Sequence, residues 1–99
     1  MSKYKLTNKA VEDLTNIWNY TFDKWSEKQA DKYYDMLLEN CQIIADDPKI
    51  GKKYERVKNE LLGLKVNRHI IFYRQLDIKQ IEITRILHGR MDLENRTNE

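Results

Sequence analysis

The residues of this 99-residue chain that could do chemistry are few, mostly basic or aromatic. They gather in its second half: Arg56, Arg68, His69, Tyr73, Arg74, Arg85 and His88. The last two stand in "ITRILHGRMD", a strand-like run broken by Gly89. Cleaving RNA without a metal requires groups that activate a 2′-hydroxyl, stabilise phosphorane charge and protonate a leaving oxygen. Arginine, lysine, histidine and tyrosine can fill all three roles, so the set is chemically sufficient. It is not specific, because any small basic domain carries such residues. His88 can be a general acid or base, a surface-reading residue, or a strand end. Arg85 can steady a phosphorane or simply pair with Glu82.

Other chemistries find no support. Gly51, Gly63 and Gly89 are isolated, so no glycine-rich phosphate loop follows a strand. His69 and His88 are too far apart in sequence, and Cys41 too solitary, for metal-ligand spacing. No serine has a nucleophile-elbow setting. Neither a metal nor a cofactor is expected. Most carboxylates fall on helix faces, where solvation is the ordinary role. Cys41 falls among apolar helical positions and reads as a small buried hydrophobe.

The elements that must position these residues follow from periodicity. Tyr4 and Leu6 alternate with polar neighbours, a short strand with one apolar face. Thr7 or Asn8 can cap a first helix, whose stripe is Val11, Leu14, Ile17 or Trp18, Phe22 and Trp25. Ser26 with Gln29 forms a capping box for a second helix. Its stripe is Ala30, Tyr33, Tyr34, Leu37, Leu38, Cys41, Ile44 and Ala45, and "DDP" ends it at Pro48. Helical spacing assigns the aromatic residues of both helices to core packing rather than to binding. The period then changes from 3.6 to 2. Leu62, Leu64 and Val66 alternate, "HIIFYRQL" reads as a central strand covered on both faces, and Ile81, Ile83 and Leu87 alternate in a last strand. Three strands with short connections form an antiparallel meander. A polar tail follows Gly89, as a short helix or a frayed end. The order is strand, helix, helix and three strands in a single domain, residues 1–99, with the helix pair over one sheet face.

The net charge of +2 hides an uneven distribution. Met1–Pro48 carries six Lys/Arg against nine Asp/Glu, a net of −3. Lys49–Arg74 carries eight against two, a net of +6, and Gln75–Glu99 four against five, a net of −1. The middle block, opening "KIGKKYERVK", is either a solvated lysine-rich loop or a docking surface for something anionic. One cysteine permits no intrachain disulfide, and no apolar stretch reaches spanning length, so a cytoplasmic protein is the default.

Five segments in one order carry a family resemblance: "YKLTNKAVEDLTNIWNYT", "WSEKQADKYYDML", "DDPKIGKK", "VNRHIIFYR" and "ITRILHGRMDL". The chain resembles the ParE branch of the RelE/ParE toxin superfamily almost end to end. The resemblance implies an α+β fold, with an N-terminal strand and a two-helix hairpin packed on a twisted antiparallel sheet (β-α-α-β-β-β). It implies the toxin of a type II toxin–antitoxin or plasmid-stabilisation module, neutralised by a ParD-like antitoxin and poisoning DNA gyrase by binding. Lys52, Lys53, Arg56, Arg68, Arg74, Arg85, His88 and Arg90 would then contact antitoxin or target. The alternative is the activity of RelE-like and YoeB-like relatives, ribosome-dependent mRNA cleavage without a metal. In that case Arg56, Arg85 and His88 are the catalytic candidates. An orphan member that only pairs with its antitoxin is a third possibility. Nuclease relatives carry a tyrosine or histidine near the C-terminus, and here no tyrosine follows Tyr73. The ending "RILHGRMD" is ParE-like, which makes His88 a structural or target-contacting residue rather than a proton-transfer group. Where ParE-like chains often have an arginine early in the second strand, this one has Leu61 and Leu62, so the contact of that arginine has no counterpart.

Overall fold

A computed structural model describes residues 3–54 and 61–89. The elements are β1 (Lys3–Leu6), α1 (Asn8–Lys24), α2 (Glu27–Asp46), β2 (Lys52–Lys53), β3 (Leu62–Val66), β4 (His69–Asp77) and β5 (Gln80–His88). This is the α+β arrangement expected, with a two-residue strand added inside the basic block. The sheet order is β1-β5-β4-β3-β2. Neighbours are antiparallel except β1, which runs parallel to β5 from Lys3↔Gln80 to Leu6↔Ile83. The chain therefore begins at one edge of the sheet and meets its last strand there.

Local chemistry sets the boundaries. Thr7 caps α1: its hydroxyl oxygen accepts the Ala10 N–H at 3.1 Å and donates to the Thr84 carbonyl at 2.8 Å. One side chain thus starts the helix and ties it to β5. The Ser26 hydroxyl accepts the Gln29 N–H at 3.1 Å at the start of α2. Asp47 closes that helix before Pro48, where the proline ring forbids another turn.

The helix pair covers one sheet face. Ala10, Leu14, Leu37, Cys41, Ile44 and Ala45 pack on Ile71, Tyr73, Ile81, Ile83 and Ile86. Burial pushes the Cys41 thiol up to about 12, so it packs as a hydrophobe. A smaller cluster on the opposite face joins Leu61, Ile70, Phe72 and Leu87 under Tyr54. β4 is the middle strand, and Ile70–Tyr73 are buried on both of its faces.

Two expectations are corrected. Val11, Phe22 and Trp25 do not enter the core and remain 47%, 46% and 74% exposed. The buried face of α1 is instead Ala10 and Leu14, with Ile17 packed against it. Leu87 does not continue the inward row of Ile81 and Ile83. The register jumps from Phe72↔Arg85 to Tyr73↔Ile83, leaving Thr84 as an extra residue on β5. A bulge inverts the alternation beyond it. Ile86 therefore faces the helices, and Leu87 joins the opposite cluster. The expected C-terminal helix or frayed end falls outside the described residues. Among those described, no helix is long and apolar enough to cross a membrane.

Candidate functional site

The bulge decides which side chains meet. Because Thr84 is extra, His88 falls opposite His69 on the helix-covered face, and their rings meet edge to face with centroids 5.4 Å apart. His69 Nδ1 lies 2.6 Å from the Tyr33 hydroxyl of α2. The Gly89 N–H donates to the Arg68 carbonyl at 3.0 Å and closes the end of the β4–β5 pair. Tyr33, His69 and His88 thus form a half-buried group, with exposed Arg68 beside it, where α2, the β3–β4 turn and the end of β5 converge. Burial and the neighbouring His88 drive the His69 pKa down to about 4, against a small opposing pull from Asp13. Its imidazole is neutral at pH 7. Burial also raises the Tyr33 hydroxyl, partly offset by the Arg68 backbone amide and guanidinium.

Arg85 stands beside the bulge, beyond the last β1–β5 pairing at Leu6↔Ile83. It is 9% exposed. Its Nε donates to Asp13 Oδ2 at 2.8 Å and its Nη2 to Asp13 Oδ1 at 3.0 Å. The same carboxylate accepts the Ile86 N–H at 3.0 Å. Asp13 of α1 therefore neutralises the arginine and satisfies a β5 amide past the end of β1. A planar guanidinium gripped through two donors is held in one orientation. Glu82, the partner considered for Arg85 above, is bound to Arg74 at 2.9 Å.

The other basic residues lie elsewhere. Arg74 is on the exposed half of β4. Lys52 and Lys53 occupy the outer edge strand, paired with Gly63 and Leu62, and Lys52 Nζ sits 5.3 Å from the Tyr54 ring centre. Tyr73, also a chemical candidate, is buried in the core and serves the loop before them. Its hydroxyl accepts the Gly51 N–H at 2.9 Å and donates to the Pro48 carbonyl at 2.7 Å. A methyl group on Gly51 would meet that oxygen at 2.4 Å, so only glycine fits. Arg56 and Arg90 lie outside the described residues. The candidates accordingly divide into a histidine group at one end of the sheet, a locked arginine beside it, and a lysine edge.

Sequence reasoning passed over Asp13 and Tyr33. In sequence Asp13 is one helix-face carboxylate among many, and Tyr33 falls in the apolar stripe of α2. A signal for Asp13 existed: an arginine inside an apolar strand is rarely buried without an acid.

A family profile described as "ParE toxin of type II toxin-antitoxin system, parDE" matches residues 4–93. The chain belongs to the ParE toxin family. It is 32% identical over 93 residues to Toxin ParE1 of Mycobacterium tuberculosis (strain CDC 1551 / Oshkosh), covering 94% of this chain and 95% of that one. It is likewise 32% identical over 92 residues to Toxin ParE1 of Caulobacter vibrioides, covering 93% and 94%. A solved structure titled "Chromosomal ParDE TA system from P. aeruginosa" shares the fold, with a TM-score of 0.75 at 21% identity over 89% of this chain and 96% of the other. The ParE fold thus accounts for the helix hairpin and the sheet together.

Proposed function

We propose that this ParE-family chain is held inactive in the cytoplasm by a ParD-like antitoxin and that, once released, it inhibits DNA gyrase by binding rather than by cutting RNA. Membership of the ParE family, and likeness in fold to a protein solved from a ParDE system, support the antitoxin half. The observation that carries the target half is the Asp13–Arg85 pair. A nuclease of this fold needs a strand cation for phosphorane charge, and this guanidinium is already engaged by both oxygens of a carboxylate. The adjacent His69 is neutral at pH 7 and bonded to Tyr33, a poor arrangement for donating a proton to a leaving oxygen.

The test compares purified chain in a gyrase supercoiling assay and on translating ribosomes, with His88→Gln beside the parent. Glutamine keeps a hydrogen-bonding group but cannot exchange a proton near neutral pH. Supercoiling inhibition and toxicity should survive His88→Gln, and ribosome-bound mRNA should stay intact. Cleavage of A-site mRNA that falls on the order of 10²–10⁴-fold in His88→Gln would instead establish the nuclease.

A further inference from the structure

The lysine edge is held more firmly than a solvated loop needs to be. Lys49, Lys52 and Lys53 are exposed, and Ile50 among them is 44% exposed. Yet the backbone that carries them is fastened at successive points. The Ile50 N–H donates to the Asp47 carbonyl at 3.0 Å. The Tyr73 hydroxyl donates to the Pro48 carbonyl and accepts the Gly51 N–H, so one oxygen clamps both ends of the Pro48–Gly51 turn. β2 then pairs with β3, Lys52 with Gly63 and Lys53 with Leu62. The Tyr54 N–H donates to the Leu61 carbonyl at 2.8 Å. Its ring stands edge to face with Phe72, centroids 5.1 Å apart, and a methyl on Gly63 would meet that ring at 2.6 Å.

Tyr73 is the unusual member of this set. Its ring is fully buried in the helix-side core, while its hydroxyl serves a surface loop. A phenylalanine would fill the core as well. The hydroxyl satisfies two loop groups that water would otherwise serve, so it contributes order to the loop more than burial to the core. Order matters at a charged site, because a partner that meets mobile lysines must bear the cost of fixing them. When only a fraction of molecules holds the competent shape, apparent affinity falls by that fraction. Asp46 and Asp47 are exposed just before the turn. A loosened loop would let its lysines turn to these carboxylates instead of to a partner.

We infer that Tyr73 is a positioning residue for recognition of an acidic segment: its hydroxyl sets the Pro48–Gly51 turn so that Lys49, Lys52 and Lys53 are presented in one arrangement. The inference rests on the reading of the Lys49–Arg74 block as the docking surface for an anionic partner. The experiment titrates the full-length chain with a labelled Glu/Leu peptide, and with a Gln/Leu peptide of equal length as the uncharged control, and follows anisotropy. Tyr73→Phe should weaken Glu/Leu binding about three- to tenfold, the cost of ordering one lysine side chain on binding, and leave the Gln/Leu peptide unaffected. It should also speed hydrogen exchange at the Gly51 amide. Gly51→Ala reaches the same turn from outside the core, because its methyl would overlap the Tyr73 oxygen, and should act in the same direction. Circular dichroism checks that each variant is folded. A merely structural tyrosine would lower affinity whether or not the lysines are present. In a background of Lys49→Gln, Lys52→Gln and Lys53→Gln, Tyr73→Phe should therefore cost nothing further, a non-additivity that marks a shared role. Full affinity in that triple variant would remove the docking reading and the latch with it. Lost affinity there, with parental affinity in Tyr73→Phe and Gly51→Ala, would keep the docking surface and overturn the latch. So would additive losses when the changes are combined.

Discussion

At the scale of single residues, Arg85 and His69 have different tasks. Arg85 and Asp13 form a buried pair, and removing one partner leaves an uncompensated charge. Asp13→Ala should therefore cost about 3–5 kcal/mol, seen as an early midpoint in urea. An unchanged midpoint would show the pair to be dispensable. Loss of toxicity in an Arg85 variant must for this reason be read beside its stability. His69 supplies a pH dependence. Its folded pKa is about 4 against an ordinary 6.5, so between those values the unfolded chain binds more protons. Stability must then fall as the pH drops from 6.5 toward 4, with no penalty from this group above that window. Denaturant midpoints at pH 7 and pH 5 should differ more for the parent than for His69→Gln. An equal difference would mean that His69 is not buried neutral.

At the scale of elements, β4 is the strand on which the rest depends. Phe72 holds the cluster of Leu61, Ile70 and Leu87 together on the face away from the helices. Phe72→Ala should cost about 3–5 kcal/mol, a large share of what a small domain possesses. Near-normal denaturation of this variant would mean that the second cluster contributes little. Its neighbour Tyr73 faces the helices and fastens the Pro48–Gly51 loop, so the same strand supports both hydrophobic layers and the base of the lysine edge. Alternation lets β5 serve both layers as well, and the bulge at Thr84 decides which residue serves which, placing Ile86 with the helices and Leu87 in the opposite cluster.

At the scale of the whole molecule, charge is segregated: an acidic helical half and a basic block from Lys49 to Arg74. An antitoxin tail that is disordered when free, amphipathic and acidic should fold onto the helix hairpin and the Lys49–Arg74 block, with apolar anchors supplying affinity and its carboxylates meeting the basic residues. Surface attraction is screened within about 10 Å at 0.1 M salt and about 3 Å at 1 M. The affinity of a ParD-like antitoxin should therefore fall between those conditions, measured by calorimetry or surface resonance. Affinity independent of salt would remove the basic block from the interface.

The sequence by itself determined the order of the two helices and four main strands, the Ser26 cap, the stop before Pro48 and the central strand, and narrowed the first cap to Thr7 or Asn8, because each depends on neighbouring residues and on backbone geometry. Capping needs one oxygen a turn from an open amide, and a buried strand needs four apolar residues in a row. The five family segments carried the fold as a whole. Tertiary structure alone decided the rest. Nothing local announces the extra residue at Thr84, yet it turns His88 toward His69 and Leu87 away from Ile83. Nothing near Arg85 in sequence reveals that its partner is Asp13, 72 positions earlier. The parallel pairing of β1 with β5 brings those ends of the chain together. The limit appears equally in α1, where 3.6-residue spacing marks Val11, Phe22 and Trp25 as an apolar stripe. Whether such a stripe is buried depends on how many neighbours the fold can set against one helix. Here one sheet and one partner helix cover Ala10, Leu14 and Ile17 and leave Trp25 in water.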